Sequence, residues 1–110
     1  MRILLDQGTP VPICEFIHGH TVQTAWEQGW DTLTNGDLLR AAEAAGFDVL
    51  VTTDQSLPHQ QNLAGRNIAV VVLSKASWRW IKPAVQQVVA AILAARPGSF
   101  GLVEIPRRSP

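Results

Sequence analysis

Short apolar runs alternate along this chain with stretches of helical periodicity. Ile3-Leu4-Leu5, ending at Asp6, predicts a buried first strand. Thr9 followed by Pro10 reads as an N-cap and first helical position, opening a short helix to about Ile17. "HTVQT", His20 to Thr24, alternates as a second strand does; Ala25 to Gly29 suits one helical turn, and Trp30 to Thr34 a loop. Asn35 is a good N-cap, Asp37 suits the positive end of a helix dipole, and "GDLLRAAEAA" runs to a left-handed cap at Gly46. A third strand is expected over Phe47–Thr52, a short helix from about Ser56 to Leu63, and a fourth strand, "IAVVVL", over Ile68–Leu73. The longest helix is expected over Ile81–Ala95, with Pro83 near its start and Arg96-Pro97-Gly98 as its stop. "FGLVEI", Phe100 to Ile105, is a final strand.

Strands alternating with helices predict an α/β fold with βαβ units and a mostly parallel central sheet. The third and fourth strands lack polar alternation, as when both faces of a sheet are covered. With 110 residues, 46% of them hydrophobic, the chain suits one domain, residues 1–105, followed by a loose tail, residues 106–110. Nine basic and nine acidic residues cancel, which excludes a broadly basic nucleic-acid surface; a nucleic-acid substrate would need a local patch. The single cysteine, Cys14, excludes an internal disulfide and points to a reducing, cytoplasmic setting. The brief apolar run after Met1-Arg2 is not that of a secretory leader, and the stretch Val85–Ala95 is too short for a membrane span, so no membrane partner is expected.

The stretch "VLVTTDQSL", Val49 to Leu57, carries the chemical question, because an apolar strand runs into a carboxylate. Open parallel sheets build their sites outside the carboxyl ends of the strands. Asp6 ends the first strand and Asp54 the third. Asp37 opens a helix that runs antiparallel to them and so starts at the same edge. Asp48, at the beginning of the third strand, falls at the opposite edge. Three carboxylates brought close together repel one another unless a cation joins them. Mg²⁺ or Mn²⁺, which takes oxygen ligands, would do so and would activate water for attack on a phosphoryl centre. Asn35, Thr52 and Thr53 are candidates to orient such ligands by hydrogen bonding. Each acid alone also has an ordinary role as cap or turn residue.

Other chemistry is thinner. His18 and His20 form an H-x-H pair with no third ligand at suitable spacing. Cys14 has no evident base beside it, and His59 suits a solvated helix position or the rim of a phosphate site. Trp26 and Trp30 flank the predicted acidic edge, where one could stack a base and the other pack against the domain. "KASWRW", with Lys75 and Arg79, is the basic-aromatic cluster; it suits an RNA backbone and a homodimer surface equally. Arg66, Lys75 and Arg79 are the candidate RNA contacts. No G-x-G-x-x-G or P-loop pattern is present.

"ILLDQGTP", "NGDLLRAAEAAGFDVLVTTDQSL" and "IAVVVL", spanning Met1 to Leu73, resemble the PIN-like proteins. More narrowly, they are similar to a small bacterial group related to VapC-type toxin ribonucleases. In that group a strand ends in Asp, a helix opens with Asp, and a further strand ends in Thr-x-Asp. The resemblance implies a PIN-like three-layer sandwich, a Mg²⁺- or Mn²⁺-dependent endoribonuclease with RNA as substrate, and an antitoxin protein as partner. By position it implies that Asp6, Asp37 and Asp54 are the metal ligands and catalytic residues. The fourth acid or asparagine of larger PIN nucleases has no acidic counterpart, Gln55, Ser56, Asn62 and Asn67 being the nearest polar residues; Glu43 falls near the wrong end of its helix.

Two other readings stay open. One is a catalytically silent PIN-like interaction module. The other is a receiver-like phosphoacceptor: "DVLVTTDQSLP" ends a strand in Asp with a proline beyond, Ser74 ends the next strand, and "IKP" supplies Lys82. Against the receiver, Gln7 stands where a second acid would follow Asp6.

Overall fold

β-Branched and leucine side chains on both faces define the strands. The computed structural model describes residues 1–106, except for the side chains of Asn35 and Gln60. Five strands form one sheet: β1 (Arg2–Leu5), β2 (Thr21–Thr24), β3 (Val49–Thr52), β4 (Ala69–Leu73) and β5 (Phe100–Val103). All neighbours are parallel and the order is β2-β1-β3-β4-β5. Helices lie on both faces, giving the expected α/β sandwich of three layers around a parallel sheet. The expected tail lies, from residue 107 on, outside the described residues.

Alternation along the strands splits the core in two. Ile3, Leu5, Val49, Val51, Ala69, Val71, Leu73 and Val103 point to the first face. Leu4, Leu50, Val70 and Val72 point to the second. Every residue of β3 and β4 is buried, so neither face of these strands tolerates water. Helix α1 (Asn35–Ala44) seals the second face with Leu38, Leu39 and Ala42, and the single-turn α2 (Leu57–Gln60) adds Leu57. On the first face, α4 (Val85–Ala94) lays down Val88 and Ile92 one turn apart, and the 3-10 segment Val11–Phe16 adds Ile13.

Several boundaries depart from expectation for local reasons. The helix expected from Pro10 is the 3-10 turn Val11–Phe16, where Pro12 disfavours the α-helical conformation of Val11 before it. Thr9 does not cap it; its hydroxyl donates instead to the Val51 carbonyl at 3.1 Å. The long helix expected over Ile81–Ala95 is α4, starting only at Val85; an unexpected turn, α3 (Trp78–Ile81), and a 3-10 turn at Lys82–Ala84 precede it, since Pro83 cannot donate and crowds the preceding turn. Helix α1 includes Asn35 as its first residue, with extended Thr34 in the cap position. Gly46 takes the left-handed conformation (φ 85°) expected after α1. Phe47, read as part of β3, lies outside the ladder and packs edge-on against Trp30, ring centroids 6.1 Å apart.

The crossovers differ in hand. β1→β2 and β2→β3 move in opposite directions over opposite faces, and β3→β4 continues over the second face, so these share one hand. β4→β5 advances in the same direction but over the first face, through α3 and α4, and has the other hand, against the strong preference for a single hand. The first face would otherwise lack a long helix. In exchange the second face is thinly covered at β5: Phe100 and Leu102 are 51% and 46% exposed, with only the His59 ring of α2 edge-on to Phe100 at 6.5 Å among the described aromatic contacts.

This division of labour is testable by substitution within one turn of α4. Ile92→Ala, at a fully buried position, should lower the unfolding free energy by about 2–5 kcal/mol, whereas Leu93→Ala, at an exposed one, should change it by no more than about 0.5 kcal/mol. Urea unfolding followed by circular dichroism measures both.

Candidate active site at the carboxyl edge of the sheet

The chain leaves β1 over one face to reach β2 and returns over the other to β3. The crossovers therefore diverge between β1 and β3, which makes the carboxyl ends of these two neighbours the switch point, where α/β sheets leave a crevice. Register pairs Leu5 with Val51, so Asp6 and Thr52 follow side by side. The Asp6 N–H donates to the Val51 carbonyl at 2.9 Å, carrying the ladder one residue further.

Thr52 is fully buried, and its hydroxyl joins the two acids. It donates to Asp6 Oδ2 at 2.5 Å and accepts the Asp54 N–H at 3.1 Å. Asp54 Oδ1 in turn accepts from the Ser56 N–H at 3.0 Å and the Ser56 hydroxyl at 2.6 Å, closing the turn into α2. Asp54 is thus a turn cap through one oxygen. Its Oδ2, like Asp6 Oδ1, has no protein hydrogen bond among the described residues. Both acids are half-buried. Each carboxylate is held by one oxygen and presents the other, the disposition that orients a metal ligand.

The turn after β1 is shaped to fit this edge. The Thr9 N–H donates to the Asp6 carbonyl at 2.9 Å while its buried hydroxyl reaches Val51. Gly8 passes so close to Thr53 that an added Cβ would lie 3.1 Å from the Thr53 hydroxyl. Sequence reasoning missed Thr9, because the Thr-Pro pair reads as an N-cap and only the tertiary contact with β3 shows otherwise.

The remaining site residues divide. Asp37 lies in the first turn of α1, exposed and paired with Arg40 one turn on. Exposed pairs of this kind contribute about 0–1 kcal/mol, so this one opens at little cost. Among the described residues no three Asp, Glu, His or Cys side chains are gathered as a metal site. The three acids read from topology lie at one edge but are not gathered into one cluster; Asp6 and Asp54 are linked through Thr52, and Asp37 stands apart with Arg40. The side chain of Asn35 lies outside the described residues. Lys75 follows β4 and Arg79 lies on α3, both on the acidic edge, the Arg79 guanidinium 4.9 Å from the Trp80 ring centroid. Trp78 and Trp80 are half-buried against the first core. Arg66 is elsewhere. It precedes β4 at the opposite edge, donating to Glu43 at 2.9 Å, so it does not face the acids. Asp48 is at that opposite edge too, accepting the Arg2 N–H at 2.8 Å, as its place before β3 predicts.

Fold and site together define a class: an open, all-parallel α/β domain with two aspartates at its switch point, the Asp6 carboxylate and the Asp54 backbone N–H sharing the Thr52 hydroxyl. No family model, no curated protein and no solved structure matches the chain.

Two predictions follow from these hydrogen bonds. Thr52→Val leaves Asp6 Oδ2 and the Asp54 N–H without their partner and should lower the unfolding free energy by about 1–3 kcal/mol, while Thr52→Ser keeps most of it, as chemical denaturation will measure. At the opposite edge, the Asn67 N–H, and after it the Arg66 guanidinium, hold the Glu43 carboxyl below its ordinary value of 4.5. A depressed acid contributes stability above its unfolded pKa and loses it as pH falls through the folded one. The stability gap between wild type and Glu43→Gln should therefore be present at neutral pH and shrink below about 4.5, as unfolding at graded pH will show.

Proposed function

We propose that this protein is a divalent-metal-dependent ribonuclease whose centre is the Asp6–Thr52–Asp54 hydrogen-bonded chain at the β1/β3 switch point. That chain is the observation that carries the reading, since the buried Thr52 hydroxyl holds one oxygen of Asp6 and the backbone of Asp54, whose own carboxylate Ser56 holds by one oxygen. The donor set suits a hard cation, because Mg²⁺ is commonly held by one or two carboxylates with waters and substrate phosphate completing its shell. Bound there, Mg²⁺ or Mn²⁺ would supply a water of lowered pKa and neutralise charge on a phosphodiester.

The chain's own residues have separable tasks. Asp6 and Asp54 would hold the cation, each through the oxygen that carries no protein hydrogen bond among the described residues. Thr52 keeps Asp6 from turning. Asp37, the third acid at this edge, would have to give up its exposed pairing with Arg40 to join them. Lys75 and Arg79 neutralise phosphates of the RNA on the β4 side of the site; Arg66, tied to Glu43, has no part in it. The resemblance to toxin ribonucleases adds an antitoxin protein as partner, and the lone Cys14 suits a reducing, cytoplasmic setting. Among the described residues no helix is long and apolar enough to cross a membrane.

The receiver-like reading shares one observation, the strand order β2-β1-β3-β4-β5, which is also that of flavodoxin-like folds. Its other parts are displaced. Glu104 follows β5, Lys82 lies in the 3-10 turn after α3, and Gln7 follows Asp6.

Degradation of a labelled RNA with Mn²⁺ tests the proposal. Asp6→Asn and Asp54→Asn should each reduce the rate by about a hundredfold or more, and chelation should abolish it. Equal degradation by wild type and both variants overturns the nuclease reading, and labelling of Asp54 by a small phosphodonor would replace it with the phosphoacceptor.

A further inference from the structure

Two tryptophans flank the loop after β2, and the structure gives them opposite surroundings. Trp30 packs edge-on against Phe47 within the second core. Trp26 is 69% exposed, the most exposed of the large apolar side chains in the described residues. A tryptophan carries about 150–250 Å² of surface for burial, so leaving it in water forgoes a large stabilisation.

The backbone beneath Trp26 is not loose. Ala25 is buried, and its N–H donates at 2.9 Å to the carbonyl of Leu5, the residue before Asp6. The Trp30 N–H returns to the Ala25 carbonyl at 2.9 Å, and the Gly29 N–H reaches the Trp26 carbonyl at 3.0 Å. Glu27 and Thr24 cap each other: the Thr24 N–H donates to Glu27 Oε1 at 2.9 Å and the Glu27 N–H to Thr24 Oγ1 at 3.1 Å. An indole on a braced turn loses little entropy when it meets a ligand.

Position gives the indole a use. In the order β2-β1-β3-β4 the loop bearing Trp26 stands next to Asp6, then comes Asp54, then Lys75. At ~4.8 Å between strands, the end of β2 is ~10 Å from that of β3 and ~14 Å from that of β4. An extended nucleic-acid strand laid across this edge has an aromatic face on one side of the acidic pair and cations on the other. Since the whole chain is electrically neutral, affinity cannot come from general charge and must come from such local contacts.

We infer that Trp26 is a base-stacking platform, which takes an unpaired base of single-stranded RNA next to the phosphate presented to Asp6 and Asp54. Stacking on an indole needs no particular base, so the site selects for unpaired bases and not for sequence. The inference rests on the ribonuclease reading. It adds to that reading a substrate class, single-stranded over duplex RNA, and a residue outside the acidic pair.

The test is fluorescence anisotropy of a short labelled single-stranded RNA and of its abasic counterpart, with Ca²⁺ in place of Mg²⁺ and intact strands verified on a gel. Trp26→Ala should weaken binding of the base-bearing strand about 5- to 150-fold and leave the abasic strand unchanged, while Trp26→Phe should stay near wild type. Wild-type binding of RNA that Trp26→Ala leaves unaltered overturns the stacking role and leaves the nuclease reading standing. Equal weakening of both strands by Trp26→Ala also overturns it, since the indole would then act through the fold. Failure of wild type to bind either strand removes the RNA reading and this inference with it. A self-association that Trp26→Ala abolishes, seen by concentration-dependent sizing, would assign the indole to a protein contact instead.

Discussion

The burial of β3 and β4 on both faces is the constraint from which the rest of this molecule follows. Val49, Leu50, Val51 and Thr52, with Ala69 to Leu73 beside them, leave no side of the central sheet that can meet water. Two apolar faces demand two covering layers, and only α1 and α4 are long enough to supply them. Helix α1, between β2 and β3, covers the second face. Helix α4, between β4 and β5, is then committed to the first face, even though this gives its crossover the less common hand. The exposed Phe100 and Leu102 are the cost of that choice, since no long helix remains to lie over β5 on the other side.

The same arrangement makes the site. With α1 on one face and the Val11–Phe16 segment on the other, the chain parts at the ends of β1 and β3 and leaves the edge between them open. Thr52 is the last residue of the buried strand and the only polar one in it. A buried hydroxyl must find partners, and those within reach are Asp6 from β1 and the backbone of Asp54 two residues on. Burial of the sheet therefore orients the Asp6 carboxylate directly, and the Asp54 backbone with it. In the proposed chemistry each carboxylate is steadied through one oxygen by neutral donors, Asp6 by the Thr52 hydroxyl and Asp54 by Ser56.

Much of this was legible in the residues themselves. The period of the apolar runs predicts the strands and α1 to within a few positions, and Asp-ended strands place Asp6 and Asp54 at one edge because parallel strands have only one carboxyl end. Gly46 announces its left-handed turn, as few other residues would fit it. Boundaries at proline were less legible. Pro10 and Pro12 announce a helical start without saying whether an α-helix or a 3-10 turn follows, and Pro83 lacks the N–H that would have joined α3 to α4.

What the sequence determined alone is what depends on local period and residue chemistry: the α/β class, the parallel sheet, the apolar strands and the acids at their ends. Tertiary structure alone decided what depends on partners remote along the chain. It turned Thr9 from a helix cap into a ligand of the Val51 carbonyl, tied Arg66 to Glu43 at the far edge, and separated a packed Trp30 from an exposed Trp26. Each of these residues can satisfy itself locally or at a distance with similar energy. Only the packed sheet, by fixing which groups lie within hydrogen-bonding or van der Waals reach, selects between the two.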